Sequence, residues 1–220
     1  MGFLITFEGP EGGGKTTLAS DLKEHFIQLG IDALFVREPG GTAIGEQIRT
    51  ILKDCKNRDM DCMTEALLFQ AARSQICRSV ISPALKDNRI VVLDRFRDSS
   101  VVYQGIARGL GKDMIEKLNE ISTGGLLPDL TILLDLDPEV GISRIKNAAD
   151  DRFDSEEIAF HKKVRDAYLG LMSEDTSGRW VKIDADRSRD KVRDDVFKIV
   201  DEKLKSAGLI EGVRLGKERF

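Results

Sequence analysis

Apolar residues gather in short runs along this chain. Phe3, Leu4, Ile5 and Phe7 form the first, and runs of similar length follow at Ala33–Val36, Ile90–Leu93, Leu130–Leu134 and Trp180–Ile183. Such runs suit strands buried on both faces. Between them the apolar spacing becomes helical, as in Leu18, Leu22, Phe26 and Leu29, which share one face from Lys15 to Leu29. Further helices are predicted over Ile44–Leu52, Glu65–Leu85, around Met114–Ile121, and over Glu139–Lys146, Glu156–Met172 and Lys191–Lys205. Strands alternating with helices predict a three-layer α/β fold, its central parallel five-stranded sheet flanked by helices. No repeat, low-complexity block or linker interrupts residues 1–207, so one domain is expected there. Gly208–Phe220 has no periodic pattern and reads as a loosely held tail with no assigned role.

Composition removes several function classes. The 220 residues carry 34 basic and 38 acidic side chains, a net charge of −4, so no basic field advertises nucleic acid. No apolar run approaches the roughly 20 residues of a membrane span, and the first strand begins too early to leave room for a signal peptide. Cys55, Cys62 and Cys77 are odd in number and lack CxxC spacing, so they read as reduced thiols of a cytoplasmic protein. His25 and His161 lie far apart in helical patterns and suggest no metal site.

The chemistry enters directly after the first strand. Gly9-Pro10-Glu11-Gly12-Gly13-Gly14-Lys15-Thr16 fits the G-x-x-x-x-G-K-[ST] template in full and runs into a helix through Thr17. Glycines let successive backbone N–H groups turn inward around phosphate oxygens, at the positive end of the helix. Lys15 is placed to reach the β- and γ-phosphates of ATP, and the Thr16 hydroxyl to bind Mg²⁺. The fold expected is therefore a P-loop NTPase. Each later strand also ends in polar residues: Arg37-Glu38-Pro39-Gly40-Gly41-Thr42, then Asp94-Arg95, then Asp135-Leu136-Asp137-Pro138. In a doubly wound sheet these converge on one crevice at the carboxyl ends of the strands. Asp94 suits a second Mg²⁺-organising group, or else a cap for the next helix. Arg95 and Arg37 offer bidentate forks for phosphate, and Glu38 a carboxylate for metal-bound water or a sugar hydroxyl. No Ser-His-Asp set or kinase catalytic loop supplies a general base. A phosphate monoester acceptor needs none, because its oxygen is already anionic and the enzyme has chiefly to neutralise and align. An arginine-rich, base-poor site thus points to a nucleoside monophosphate kinase. A kinase acting on another nucleotide or a deoxynucleoside, and a P-loop switch protein, are the other readings considered. The absence of an NKxD segment speaks against the switch.

From Phe3 to Ala207 the chain resembles the bacterial thymidylate kinases. The likeness rests on FEGPEGGGKTT, REPGGTAIGEQIR (Arg37–Arg49), EALLFQAARSQ (Glu65–Gln75), DRFRDSSVVYQG (Asp94–Gly105), PDLTILLDLDPEVG (Pro128–Gly141) and DRFD…FHKKVRDAYL (Asp151–Leu169). It implies phosphorylation of dTMP to dTDP by ATP, a homodimer, and a role for each matching residue. Phe69 would stack on thymine and Arg73 donate to its O4; four apart, both can meet one base, although Phe69 equally fits a core position. Arg37 and Arg95 would hold the acceptor phosphate. Ser100 and Gln104 would contact the base, Tyr103 would fill the space of a ribose 2′-OH, and Glu11 would lie near the 3′-OH. Asp184–Arg187 would lie beside adenine. Two departures stand out: Ala72 and Ile76 replace an acid and a histidine of the family pattern, and the mobile lid Arg144–Phe153 is short and poor in arginine. The phosphate loop itself has no arginine, so Arg152, Arg144 and Lys146 are the cations expected to close over ATP, unless Arg144 merely caps a helix and Arg152 pairs with its acidic neighbours.

Overall fold

The computed structural model describes residues 2–145 and 151–210. Five parallel strands form one sheet: β1 (Phe3–Glu8), β2 (Ala33–Arg37), β3 (Ile90–Asp94), β4 (Leu130–Asp135) and β5 (Trp180–Asp184), in the spatial order β2-β3-β1-β4-β5. The helices are α1 (Lys15–Gln28), α2 (Ala43–Lys53), α3 (Cys62–Ile76), α4 (Ser82–Lys86), α5 (Arg97–Ser100), α6 (Lys112–Thr123), α7 (Pro138–Ser143), α8 (Ile158–Glu174) and α9 (Arg189–Ser206).

Strand alternation distributes the core. Ile5 and Phe7 of β1, Ile90 and Val92 of β3, and Leu130, Ile132 and Leu134 of β4 face one side, where Leu18, Leu22 and Phe26 of α1 meet Val196 and Val200 of α9. Leu4, Val91 and Leu93 face the other side and pack on Ile76 and Ile81. The inner strands β1, β3 and β4 are therefore mostly apolar at consecutive positions, because both their faces are covered. A third cluster joins Val101, Val102 and Ile115 to Val164, Tyr168 and Leu171 of α8.

The five-stranded parallel sheet flanked by helices is the architecture expected from the sequence. The helix expected over Glu65–Leu85 starts earlier, at Cys62, and continues to Lys86. Asp61 caps α3, its Oδ1 accepting from Met63 N at 2.8 Å, and a π-helical stretch Cys77–Ile81 separates α3 from α4. An unforeseen helical segment, α5 and the π-helical Val101–Ala107, follows β3. The helix expected to reach Lys146 ends at Ser143. Lys146 and residues 211–220 of the tail lie outside the described residues. Among the described residues no helix is long and apolar enough to cross a membrane.

Candidate functional site

At the carboxyl ends of β1, β2 and β3 lies a crevice of about 500 Å³ lined by the β1–α1 loop, the residues after β2 and β3, parts of α2 and α3, and Arg144, Ile145, Asp151, Phe153 and Asp154. The loop from Gly9 to Gly14 is held in a shape that needs glycine. Gly12 has φ +70°, and a Cβ there would lie 2.1 Å from the carbonyl oxygen of Gly141. Gly14 precedes α1 in the left-handed region and brings no side-chain cap, so the first-turn N–H groups of Lys15, Thr16 and Thr17 have no side chain in front of them. Lys15 folds back over the loop and donates to the carbonyls of Gly9 (3.0 Å) and Pro10 (2.7 Å). Burial, and then the nearby Arg95, pull its ammonium down to about 8. Thr16 Oγ1 donates to Asp94 Oδ2 at 2.5 Å across the crevice.

Arg95 adopts φ +67°, a conformation that a non-glycine residue holds only when its surroundings enforce it. Its own N–H donates to Phe7 O at 3.0 Å. Behind it, the buried Glu8 of β1 accepts from Phe96 N (2.9 Å), Ser99 Oγ (2.5 Å) and Tyr168 Oη (2.8 Å), pinning the turn. Burial and then Asp98 push the Glu8 carboxyl up to about 7 against those donors. The Arg95 guanidinium reaches Glu11 Oε2 at 2.7 Å and Gly9 O at 3.1 Å, and lies 5.1 Å above the Tyr103 ring. Tyr103 Oη donates to the other Glu11 oxygen at 2.8 Å. Burial alone would raise the Glu11 carboxyl, but Arg95 and Lys15 hold it down to about 2.

Farther along the crevice, Arg37 pairs with Glu46 at 3.1 Å on the exposed rim. Beside it Arg49 of α2 donates to Pro39 O at 2.9 Å and lines the same space. Burial and then Arg37 lower the affinity of the Arg49 guanidinium for its proton, as expected where two cations await an anion. The inner end holds Phe69, whose ring meets Phe153 edge-on at 5.7 Å, and Arg73. Arg73 is 1% exposed. Its Nε donates to Glu38 Oε2 at 2.7 Å, Nη1 to Ser100 Oγ at 2.8 Å and Asn119 Oδ1 at 2.9 Å, and Nη2 to Phe96 O at 3.1 Å. These partners hold Arg73 with alanine at position 72, while Ile76 packs into the core.

The structure thus brings Gly12, Gly14, Lys15, Thr16, Thr17, Glu11, Asp94 and Arg95 to one end of the crevice, with Arg37, Glu38, Phe69, Arg73, Ser100, Tyr103 and Gln104 continuing it. Gly9, Pro10 and Gly13 shape the loop without lining the space. One expectation, Arg152 closing over ATP, needs correction, and Glu38 and Asp184 are placed as follows. Glu38 lines the crevice with Oε2 paired to Arg73 at 2.7 Å, and its Oε1 is buried without a partner among the described residues. Arg152 is not over the phosphate loop. It is 6% exposed, donates from Nε to Leu52 O at 3.0 Å and pairs with the buried Glu65 at 2.6 Å. A guanidinium and a carboxylate that are both removed from water satisfy each other, and this outweighs any pairing of Arg152 with exposed neighbours. Asp184 is exposed at the end of β5 and lines a separate shallow groove with Arg187 and Asp195. Arg144 does line the crevice, and ties it to that loop by donating to Ala185 O (3.1 Å) and Asp186 Oδ1 (3.0 Å). Sequence reasoning passed over Arg49 and Glu8, although both lie inside the segments that carry the resemblance.

A parallel sheet in the order β2-β3-β1-β4-β5, a phosphate loop between β1 and α1, and an arginine-rich second site in the same crevice define a P-loop kinase. A family model described as thymidylate kinase matches residues 7–196, and the chain belongs to that family. It is 46% identical over 206 residues to a thymidylate kinase of Bacillus cereus, and 45% identical over 206 residues to one of Bacillus anthracis. Both alignments cover 92% of this chain and 99% of the relative. The crystal structure of thymidylate kinase from Ehrlichia chaffeensis superposes with a TM-score of 0.74 at 29% identity, covering 90% of this chain and 98% of that one.

Proposed function

We propose that the chain transfers the γ-phosphoryl group of ATP to dTMP, forming dTDP, within this crevice. Family membership supports this reading over a switch protein or a kinase for another nucleotide or a deoxynucleoside. The observation that carries the assignment of the site is continuity: one space runs from Lys15 and the α1 N-terminus, past Arg95, Arg37 and Arg49, to Phe69 and Arg73. A triphosphate at one end and a nucleoside monophosphate at the other would meet with their phosphates between the cations.

The division of labour follows from charge. Lys15, whose present partners are carbonyl oxygens, would exchange them for β- and γ-phosphate oxygens. Arg95, Arg37 and Arg49 would hold the acceptor phosphate in line, and Arg144 the ATP side near the 184–187 loop. Phe69 would stack on the base, with Arg73, Ser100 and Gln104 at its edge. Tyr103 and Glu11 would border the sugar. No residue has to remove a proton, since the acceptor oxygen arrives anionic; alignment and neutralisation are what the site provides. Thr16 Oγ1 and Asp94 Oδ2, 2.5 Å apart, are hard oxygen donors suited to Mg²⁺ with phosphate oxygens completing its shell. Among the described residues no cluster of three His, Cys, Asp or Glu side chains offers a metal site without the substrate. When bound, Mg²⁺ supplies neutralisation of phosphate charge.

Two further assignments complete the proposal. A homodimer is supported by Leu67 of α3 and by Met114 and Ile121 of α6, large apolar side chains exposed on helices that pack together. A cytoplasmic location fits a soluble-type composition and substrates that are free nucleotides. Coupled measurement of ADP release tests the main claim: rapid release is expected only with ATP and dTMP together, and release that ignores dTMP would remove it.

A further inference from the structure

Behind the base end of the crevice lies a buried carboxylate that does not itself line the space. Glu65 of α3 is 1% exposed, and so is Gln104 of the π-helical stretch beside it. Gln104 Nε2 donates to Glu65 Oε1 at 2.8 Å. Arg152 Nη1 lies 2.6 Å from Glu65 Oε2, and Arg108 approaches both oxygens at 3.4 Å. Only donors surround this carboxylate, and a carboxylate offers only acceptors.

That asymmetry settles which way the Gln104 amide points. Its two ends are close in shape but opposite in chemistry, so in a neutral environment either end could face a ligand. Turning the amide oxygen toward Glu65 would set two acceptors against each other in a site removed from water, where an unmatched polar pair is most costly. The NH₂ group is therefore committed inward, and the amide oxygen is the polar end left for the crevice that Gln104 lines. Arg73 provides the complementary group. One Nη2 hydrogen of its guanidinium has no partner among the described residues, the other donating to Phe96 O.

We propose that Glu65 is a positioning residue for base selection. By fixing the Gln104 amide oxygen toward the ligand, beside a donor from Arg73, it presents the acceptor-and-donor pattern that matches a pyrimidine imide, which has a ring N–H next to a carbonyl. Cytosine presents a ring nitrogen lone pair and an exocyclic amine at those places, so both contacts become mismatched. Glu65 never meets the substrate; it acts through Gln104. Arg152 and Arg108 balance the buried charge, which gives the lid-side arginine its role in this pocket.

The inference rests on the proposed dTMP kinase reading, and its test separates the two. kcat/KM for dTMP and for dCMP is measured by coupled ADP release on wild type, Glu65→Gln, Gln104→Leu and the Glu65→Gln/Gln104→Leu double variant. A glutamine at position 65 can accept from or donate to its neighbour, so the Gln104 amide is free to turn. Glu65→Gln should lower the dTMP-to-dCMP selectivity at least about tenfold, as expected for one mispaired buried hydrogen bond. In the Gln104→Leu background the same change should leave the remaining selectivity within about twofold, because the coupling runs through one amide. A purely structural role would lower both efficiencies together, leave the ratio unmoved in Glu65→Gln, and overturn the proposal. Selectivity unchanged by Gln104→Leu would overturn it as well. Should Glu65→Gln fail to fold because Arg152 loses its counter-ion, Glu65→Gln/Arg152→Met removes both charges and carries the same readout against an Arg152→Met reference. Wild type with no dTMP-dependent turnover would sink the kinase reading instead.

Discussion

Replacing Lys15 by Met separates catalysis from stability. The ammonium is buried, and its position near 8 means that the folded chain holds it charged at a disadvantage. The folded pKa lies below the unfolded value of 10.5, so the native state binds fewer protons between pH 8 and 10.5. Stability therefore rises with pH across that window, and at neutral pH the charged Lys15 lowers it. Methionine preserves most of the volume and the helix propensity while removing the charge. It also removes two hydrogen bonds to carbonyls. Gly9 O keeps the Arg95 donor at 3.1 Å, so only Pro10 O loses its side-chain partner, a loss of about 1 kcal/mol. That loss and the relieved desolvation oppose each other, and the unfolding temperature should fall by no more than about 4 °C. Turnover should fall far more. A cation acting on the transferring phosphoryl group is worth about 3 kcal/mol or more, which is roughly a hundredfold in kcat. Circular-dichroism melts and coupled ADP release on the same preparation make the comparison. A folded Lys15→Met protein with near-normal kcat would refute the assignment of Lys15.

Further expectations follow from the same geometry. Because Lys15 in the free chain loses its proton near 8, kcat/KM for ATP should decline about tenfold per pH unit above that value; a profile flat to pH 9.5 would show that this ammonium does not bind phosphate. Arg152→Met leaves the buried Glu65 with the more distant Arg108 as its remaining cation and with the neutral Gln104 donor. It should lower stability by about 3 kcal/mol while changing kcat less than about threefold at a temperature where it is folded, whereas a tenfold kcat loss without destabilisation would restore the lid role expected from sequence. Phe69→Ala should raise KM for dTMP at least about tenfold and hardly touch KM for ATP, in line with the worth of stacking on one base; equal effects on both substrates would mark Phe69 as a core residue only.

The inner strands could be read from the sequence because they are covered on both faces, so consecutive apolar residues such as Val91, Val92 and Leu93 leave an unambiguous run. The helical segment after β3 could not be read for the opposite reason. Arg97 to Gly105 is buried at every position, and its polar side chains point inward to Glu116, Arg179, Glu8 and Arg73. With no polar face toward water, the helical period disappears. The phosphate loop was legible because its chemistry is local: one turn, one lysine and one hydroxyl at fixed offsets. The fate of Arg152 was not local. Nothing near it in the chain announces that Glu65 on α3 comes to meet it, and its acidic neighbour Asp151 pairs with Lys53 instead. Arg49 shows a smaller gap of the same kind. It stands at the end of the REPGGTAIGEQIR segment, but only the turn from β2 into α2 brings it beside Arg37.

The central claim is transfer of phosphate to one particular monophosphate, and label transfer tests it most directly. ATP labelled in the γ-phosphate is incubated with the protein and, separately, dTMP, dCMP, dGMP, dAMP or thymidine, and the products are resolved by chromatography. Labelled dTDP is expected from dTMP, with at least about a hundredfold lower yield from the other monophosphates, as a site built on paired hydrogen bonds discriminates, and none from thymidine. Label appearing equally in all four diphosphates, or in dTMP formed from thymidine, would contradict it.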